Sequence, residues 1–330
     1  MEADSGYVLV TGGLGYIGSH AVVELYNNGY KTVIVDNLYN SSEKCHARLE
    51  EITGKTIPFE KATLCDYEVL CGIFKKYQIN AVMHFAAYKA VGESTFKPLE
   101  YYENNLMSTI NVLKAMREHG VHKIIYSGSA AVYGNNPECT EEASTCPNNP
   151  YGETKLIGDF VLRDLANADE KLEAISLRYF NPIGSHPSGK IGEDPKDIPN
   201  NLMPFVLQVA MGKLPQLRVF GSDYDTIDGT GVRDYIHVMD LVEAHIAALG
   251  KLHPGFRIYN LGTGRGTSVL EIVSAFEKAT RVEIKREMAP RRPGDVEKLM
   301  AVPEKAEKEL GWKAKRTIED ACKDGWNWIS

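Results

Sequence analysis

The sequence predicts an α/β fold, a doubly wound parallel sheet with a second, smaller substrate-binding domain, and three observations carry that prediction. Short apolar runs alternate with longer amphipathic stretches through the first half of the chain. The runs are almost continuously apolar (Val8-Leu9-Val10, Val33-Ile34-Val35) and do not alternate, as strands covered by helices on both faces require. After Phe180 the pattern breaks, with Pro182, Pro187, Pro195, Pro199, Pro204 and Pro215 interrupting the chain among glycines. Such a stretch suits a loop-rich substrate domain.

In order along the chain, strands are expected over Tyr7 to Thr11, Thr32 to Asp36, Ala81 to Ala87, Lys123 to Ser127 and Ala174 to Phe180. A helix starting near Pro98 is expected to stop at Gly120, because Lys114, Arg117 and His119 supply the basic last turn that favours a C-terminus. Another amphipathic segment covers 151–165. Arg257 to Leu261, followed by Gly262-Thr263-Gly264, reads as a further strand and turn of the main sheet. The expected division is therefore 1–180 and 181–330, with about 236–262 folding back onto the first domain.

The 330 residues are 43% hydrophobic and 25% charged, which excludes long disorder, collagen-like sequence and coiled coil. A net charge of -7 argues against a nucleic-acid or anionic-membrane surface. No apolar run approaches a membrane span, and Met1 to Gly6 lacks the basic and apolar regions of a signal peptide, so a cytoplasmic location is expected. The cysteines at 45, 65, 71, 139, 146 and 322 form no C-x-x-C, and no histidine partners them at zinc-finger spacing. Free thiols without a metal or redox role are the expectation.

Residues 8–18 read V-L-V-T-G-G-L-G-Y-I-G, and Gly13, Gly15 and Gly18 complete G-x-G-x-x-G between a strand and a helix. Residues without Cβ let the backbone turn tightly and approach a pyrophosphate at the positive helix end. Asp36 ends the next strand, where a carboxylate accepts both ribose hydroxyls and repels a 2′-phosphate, so this Rossmann site is expected to take NAD. Asp66 is open between contact with the adenine and a plain helix N-cap before Tyr67.

Tyr151 and Lys155 form Y-x-x-x-K on one helical face, and only Tyr151 of the 17 tyrosines has a lysine four residues on. Upstream, Ser127-Gly128-Ser129 ends a strand. A phenol works as a base near neutrality only if its anion is stabilised by roughly 4 kcal/mol, and Lys155 with a nicotinamide cation is the expected source. Ser129 would bond the reacting hydroxyl and relay its proton, and its bland alternative is a strand-end serine satisfying nearby backbone.

These motifs, with HFAAYKAVGES at 84, PLEYYENN at 98, SAAVYG at 129, NPYGETK at 149, LRYFNPIGSHPSG at 177, IPNNLMP at 198, GTGVRDYIHVMD at 229 and APRRPGD at 289, resemble the extended short-chain dehydrogenase/reductase family. The likeness is greatest to its nucleotide-sugar 4-epimerases and runs from Val8 to about Trp328. It implies NAD-dependent inversion of the 4-hydroxyl of UDP-galactose or UDP-glucose through a transient 4-keto sugar. Around NAD it implies Gly12, Tyr16, Ile17, Asn37, Tyr67, Phe85, Ala86, Lys89, Asn104, Ser127 and Tyr179, besides the glycines, Asp36, Asp66, Tyr151 and Lys155. Around the UDP-sugar it implies Ser129, Asn181, Asn200, Asn201, Leu202, Arg233, Arg292, Asp295 and Leu299. Without it, arginines such as Arg233 would be surface ion-pair residues, Arg233 with Asp234 for instance. It also implies a homodimer joined through helices near 98–119 and 151–165.

A 4,6-dehydratase of the same fold needs an acid pair beside the reacting serine, where this chain has Ala130 and Ala131. An NAD-binding protein without chemistry is the other alternative, set against intact Ser129, Tyr151 and Lys155. Two departures stand out. Gly128 breaks what is usually a run of three serines, and Leu299 is intermediate in bulk where relatives carry a large aromatic or a small residue beside the sugar 2-position. Whether an N-acetyl group fits there is left open.

Overall fold

The computed structural model describes residues 6–136, 139–196, 199–292 and 295–330. Residues 1–5, with most of the acidic N-terminal stretch, lie outside these, as do Ile198, Pro293 and Gly294 of the motifs quoted above. The first six strands are β1 (Tyr7–Thr11), β2 (Lys31–Asp36), β3 (Phe59–Lys61), β4 (Ile79–His84), β5 (Lys123–Ser129) and β6 (Glu173–Tyr179). The chain then leaves the sheet through β7 (Asn181–Ile183), β8 (Leu217–Phe220) and β9 (Val232–His237), and returns as β10 (Gly255–Leu261) beside β6. The seven-stranded sheet has the order β10-β6-β5-β4-β1-β2-β3 with every pair parallel. Its order reverses between β1 and β4, the switch point at which doubly wound sheets bind ligands.

Helices α1 (Tyr16–Asn27), α2 (Glu43–Thr53), α3 (Tyr67–Lys76), α4 (Val91–Phe96), α5 (Pro98–Glu118), α6 (Pro150–Ala168), α7 (Leu202–Ala210) and α8 (Val238–Leu249) follow in order. Strand residues alternate between two cores. Val8 and Val10 pack with Val22 and Leu25 of α1, Leu49 of α2 and Leu241 of α8. Leu9 and Val82 pack with Leu70 of α3, Val112 of α5 and Leu162 of α6. Both faces are therefore buried, each side chain contributing roughly 1.5–3 kcal/mol, which is why the strands read as continuous apolar runs.

Two expected C-terminal strand ends move by more than one residue. β4 stops at His84 instead of Ala87, because Phe85 N donates to Thr11 O (3.1 Å) and Ala86 N to Thr11 Oγ1 (3.4 Å), turning the chain across the end of β1. β5 runs on through Ser129, held by pairing with β6 as far as Tyr179.

The remaining elements are β11 (Gly266–Ser268), α9 (Val269–Thr280), β12 (Arg286–Ala289), β13 (Lys298–Leu299), α10 (Glu304–Leu310) and α11 (Ile318–Ile329). β9 pairs with β7, β11 and β13, and β12 pairs with β8. A third core, with Val206, Val219, Tyr235, Phe276 and Cys322, lies among α7, α9 and α11. Asp234, fully buried, accepts from Thr263 N (2.8 Å), Thr263 Oγ1 (2.7 Å), Gly264 N (2.9 Å) and Ala301 N (3.2 Å), fastening β9 to the Gly-Thr-Gly turn and the segment after β13.

Candidate active site

The glycine turn lies between the C-terminal end of β1 and α1. Gly12 has φ +65°, and a Cβ on it would lie 2.8 Å from Ala86 N; one on Gly18 would lie 2.2 Å from Gly12 O. Only glycine fits these close approaches, which let the turn pack against the chain after β4 and against the start of α1. Gly15 is the N-cap of α1 and offers no side-chain hydrogen bond, leaving the first-turn N–H groups for an anion. Asp36, buried at the end of β2, faces this turn: Oδ2 accepts from Leu14 N (3.1 Å), and Oδ1 from Leu38 N (2.8 Å) and Ser41 Oγ (2.8 Å). The residues fit a dinucleotide.

Tyr16 hydrogen-bonds Gly184 O (2.6 Å), Ile17 packs into the core, and Asn37 caps the following turn through Tyr39 N (3.0 Å). Lys89 meets Glu193 at 2.5 Å, and Lys196 donates to the carbonyls of Leu38 (2.6 Å) and Tyr39 (2.7 Å). The chain around 193–196 is thereby tied at two points to the loops that follow β4 and β2. Asp66 caps α3 through Val69 N (3.2 Å), and Tyr67 turns away to Glu118 on α5 (2.6 Å). Asn104 donates to Asn105 Oδ1 (3.0 Å), and the buried Asn105 braces the 85–89 turn through Tyr88 N (2.8 Å) and Tyr88 O (3.1 Å). The Tyr179 hydroxyl is held by His245 Nε2 (2.5 Å). Among the described residues, Cys71, Glu118 and His119 bring ligand-type atoms within 4.8 Å of one another, beside α3 and α5.

The reacting groups meet at the ends of β5 and α6. Asn149 caps α6 through Gly152 N (2.9 Å) and Pro150 occupies its first turn, which sets Tyr151 at the helix start. Ser129 ends β5 and caps the short 3-10 turn Ala130–Tyr133, accepting from Ala131 N (3.1 Å), and its hydroxyl lies near enough to the Tyr151 phenol to favour the phenolate. Lys155, one turn along, is buried and donates to Ser127 O (2.7 Å), its Nζ 6.0 Å from the Tyr151 ring centre. Burial raises the Tyr151 hydroxyl above its ordinary value and the Ser129 hydroxyl draws it back. Burial lowers Lys155 to about 8, opposed by the Asp159 carboxylate. The Lys155 ammonium thus lies near the phenol while donating to the Ser127 carbonyl, and the nicotinamide cation expected beside it would be the second positive charge.

His84, the last residue of β4, is lowered to about 3 by burial and then by Lys155; it bridges Thr11 Oγ1 (2.8 Å) and Thr109 Oγ1 (3.1 Å). His237 caps α8 through Met239 N (3.1 Å) and meets Asp324 (3.1 Å). Both are structural.

In the 181–330 half, Asp295 joins two guanidinium groups, Arg292 Nε at 2.9 Å and Arg233 Nη2 at 3.8 Å. The pairing of Arg233 with Asp234 is corrected, because the Asp234 carboxylate points inward to four backbone and hydroxyl donors. Arg292 also lies over the Phe220 ring (4.8 Å). Asn181 donates to Asp234 O (3.0 Å), Asn201 precedes α7 and donates to Glu193 (3.2 Å), Asn200 is exposed, and Leu202 opens α7. Leu299 packs against Ala130, Tyr133, Leu156 and Phe180, the cluster behind Ser129. Glu193, Lys196, Phe220 and Asn105 escaped sequence reasoning. Asn105 alone left a signal, as the second asparagine of PLEYYENN.

This fold and site define a dinucleotide-binding protein of the short-chain dehydrogenase/reductase type. A family model described as GDP-mannose 4,6 dehydratase matches residues 9–325. The UDP-glucose 4-epimerase of Bacillus subtilis (strain 168) is 55% identical over 98% of this chain and 96% of that protein. The structure of the UDP-glucose 4-epimerase from Bifidobacterium longum in complex with NAD+ and UDP is 50% identical, with TM-score 0.94 over 98% of this chain and 97% of that one. The Stenotrophomonas maltophila enzyme, with bound NAD and formylated UDP-arabinopyranose, is 48% identical, with TM-score 0.96 over 98% of each chain. The chain belongs to the UDP-glucose 4-epimerase family.

Proposed function

We propose that this chain interconverts UDP-galactose and UDP-glucose by NAD-dependent inversion of the sugar 4-hydroxyl. The observation that carries the reading is the convergence of Ser129, Tyr151 and Lys155 at the ends of β5 and α6, in a chain that also carries the glycine turn and the Arg233–Asp295–Arg292 cluster. Tyr151 takes the proton of the 4-hydroxyl, directly or through Ser129, and returns one to the same oxygen when carbon 4 is reduced from its other face. NAD, when bound, supplies the acceptor and donor of the hydride at carbon 4. The 4-keto sugar between these steps is held by its UDP anchor and can present either face.

The cofactor would lie on Gly12, Gly13, Gly15, Tyr16, Ile17 and Gly18, with Asp36 and Asn37 at the adenosine ribose. Asp66, Tyr67, Phe85, Ala86, Lys89, Asn104, Ser127 and Tyr179 would complete the cofactor groove. Arg233 and Arg292 suit a diphosphate, because planar forks match its oxygens and one carboxylate between them leaves net positive charge. Asn181, Asn200, Asn201, Leu202 and Asp295 would complete that pocket, with Leu299 beside the sugar. Residues 1–180 with about 236–262 folding back onto them would then form the NAD-binding domain, and 181–330 the UDP-sugar domain. Ala130 and Ala131 disfavour elimination of water, since neither can act as acid or base.

Leu99, Met107 and Ile110 on α5 and Phe160 on α6 are exposed apolar side chains on two adjacent helices, which supports pairing of two copies there. Among the described residues no helix is long and apolar enough to cross a membrane, and we place the protein in the cytoplasm. The test is to incubate purified protein, without added NAD, with UDP-galactose and UDP-N-acetylgalactosamine and to follow the anomeric protons by NMR. UDP-glucose should appear. No conversion even with NAD supplied would defeat the assignment.

A further inference from the structure

Tyr151, Lys155 and Asp159 succeed one another at four-residue spacing on α6, so all three lie along one side of the helix. Asp159 is buried, and its bonds are complete: Oδ1 accepts from Ser176 Oγ (2.6 Å), and Oδ2 from Arg178 Nε (3.0 Å) and Nη2 (2.9 Å). Arg178 is itself fixed by the Tyr133 hydroxyl (2.9 Å), and Tyr133 by Asn260 (2.7 Å). Gly128 explains how this fits beneath the active site. A Cβ there would lie 2.7 Å from Ser176 Oγ and 3.1 Å from Arg178 Cγ, so the gap in the serine run makes room for the hydroxyl and guanidinium that hold Asp159.

We infer that Asp159 is a positioning residue for the reaction, supplying a buried negative charge one helical turn beyond Lys155 that keeps its amine protonated near Tyr151, with Ser176 and Arg178 fixing that carboxylate in place. The inference rests on the epimerase reading only for its kinetic consequence.

Lys155 is faced by Tyr151 and Asp159 on α6, by His84 on β4 and by Tyr126 on β5, with Arg178 beyond Asp159 on β6. Of these, Asp159 is the group whose negative charge favours the protonated amine. A buried lysine already lowered by desolvation loses its proton at still lower pH once that charge is removed. The Ser127 carbonyl would then lose its charged donor, and the phenolate its neighbouring cation.

The experiment is a ¹³C NMR titration of the Lys155 side chain in lysine-labelled protein, assigned with Lys155→Arg, together with the pH profile of kcat. In Asp159→Asn the Lys155 midpoint should fall by about one unit or more, the alkaline limb of kcat should move with it, and Asp159→Glu should recover most of both. Ser176→Ala, which keeps every charge and leaves a milder defect, should move both readouts the same way by less; it serves if Asp159→Asn does not fold. An unchanged Lys155 midpoint in folded Asp159→Asn or Ser176→Ala, or a loss of thermal stability with an unmoved pH profile, would overturn the inference and leave an ordinary structural ion pair. The titration needs no substrate, so it decides the role of Asp159 even if the protein turns over no UDP-sugar, an outcome that would sink the epimerase reading separately.

Discussion

The sheet half and the 181–330 half of this molecule are held together by different means. In the first, apolar side chains on both faces of seven parallel strands do most of the work, beside one buried polar network that joins Asp159 to Ser176 and Arg178. In the second, short strands of two to six residues are fastened by polar ties: Asp234 collects four donors, and Asp240 with Glu243 on α8 pairs with Arg316 just before α11. Rigid apolar packing places the atoms that react. A softer polar frame suits an anchor that must hold one end of a ligand while the other end turns.

The sharpest way to separate the two halves is Tyr151→Phe, which removes the base and no packing. Turnover of UDP-galactose should fall by about 10³-fold while the melting temperature and the NAD content of the purified protein stay unchanged. Retained activity would show that the proton leaves by another route. Arg292→Ala reverses the test. Loss of charge-assisted bonds to a diphosphate should raise KM roughly 10–100-fold and leave kcat within a few fold; a fall in kcat alone would place the anchor elsewhere.

Acid distinguishes the halves by stability. His20 and His84, buried in the sheet half, are each held down to about 3 by burial, whereas an unfolded histidine takes up its proton near 6.5. Between those values the unfolded chain binds more protons, so stability falls as pH drops from about 6.5 toward 3 and is flat above. Denaturant titrations should show a loss of a few kcal/mol across that window. Replacing His84 by Gln should flatten the slope. The smallest effect lies where the halves meet: Leu299→Tyr should reduce turnover of UDP-N-acetylgalactosamine several-fold relative to UDP-galactose, and an unchanged ratio would remove Leu299 from the sugar pocket.

The same contrast governs what could be read from sequence. β1, β2 and the helices α5 and α6 were legible because burial on two faces, or on one helical stripe, writes a period into the chain. The glycine turn, Asp36, and the Tyr151–Lys155 pair were legible because close backbone approach and helical spacing each demand particular residues at particular intervals. β3, β8 and β13 were not, since two to four residues carry no period. Nor was the inward turn of Asp234, which depends on where the Gly-Thr-Gly turn returns in space, or the crossing of Phe85 over β1, which depends on Thr11. Gly128 was legible as a departure, but its meaning lay in Ser176 and Arg178 on the next strand.

The ties of Lys89 to Glu193 and of Lys196 to the Leu38 and Tyr39 carbonyls join the loops after β4 and β2 to one segment of the other half. Were a coenzyme seated beneath those ties, its exchange would wait on their parting. Such a protein would answer to how many of its molecules were loaded when they folded, and would be indifferent to the surrounding ratio of oxidised to reduced nicotinamide. Its catalytic capacity would be inherited at assembly and diluted by growth, as a metalloprotein's is, and would not rise and fall with the redox state of the cell.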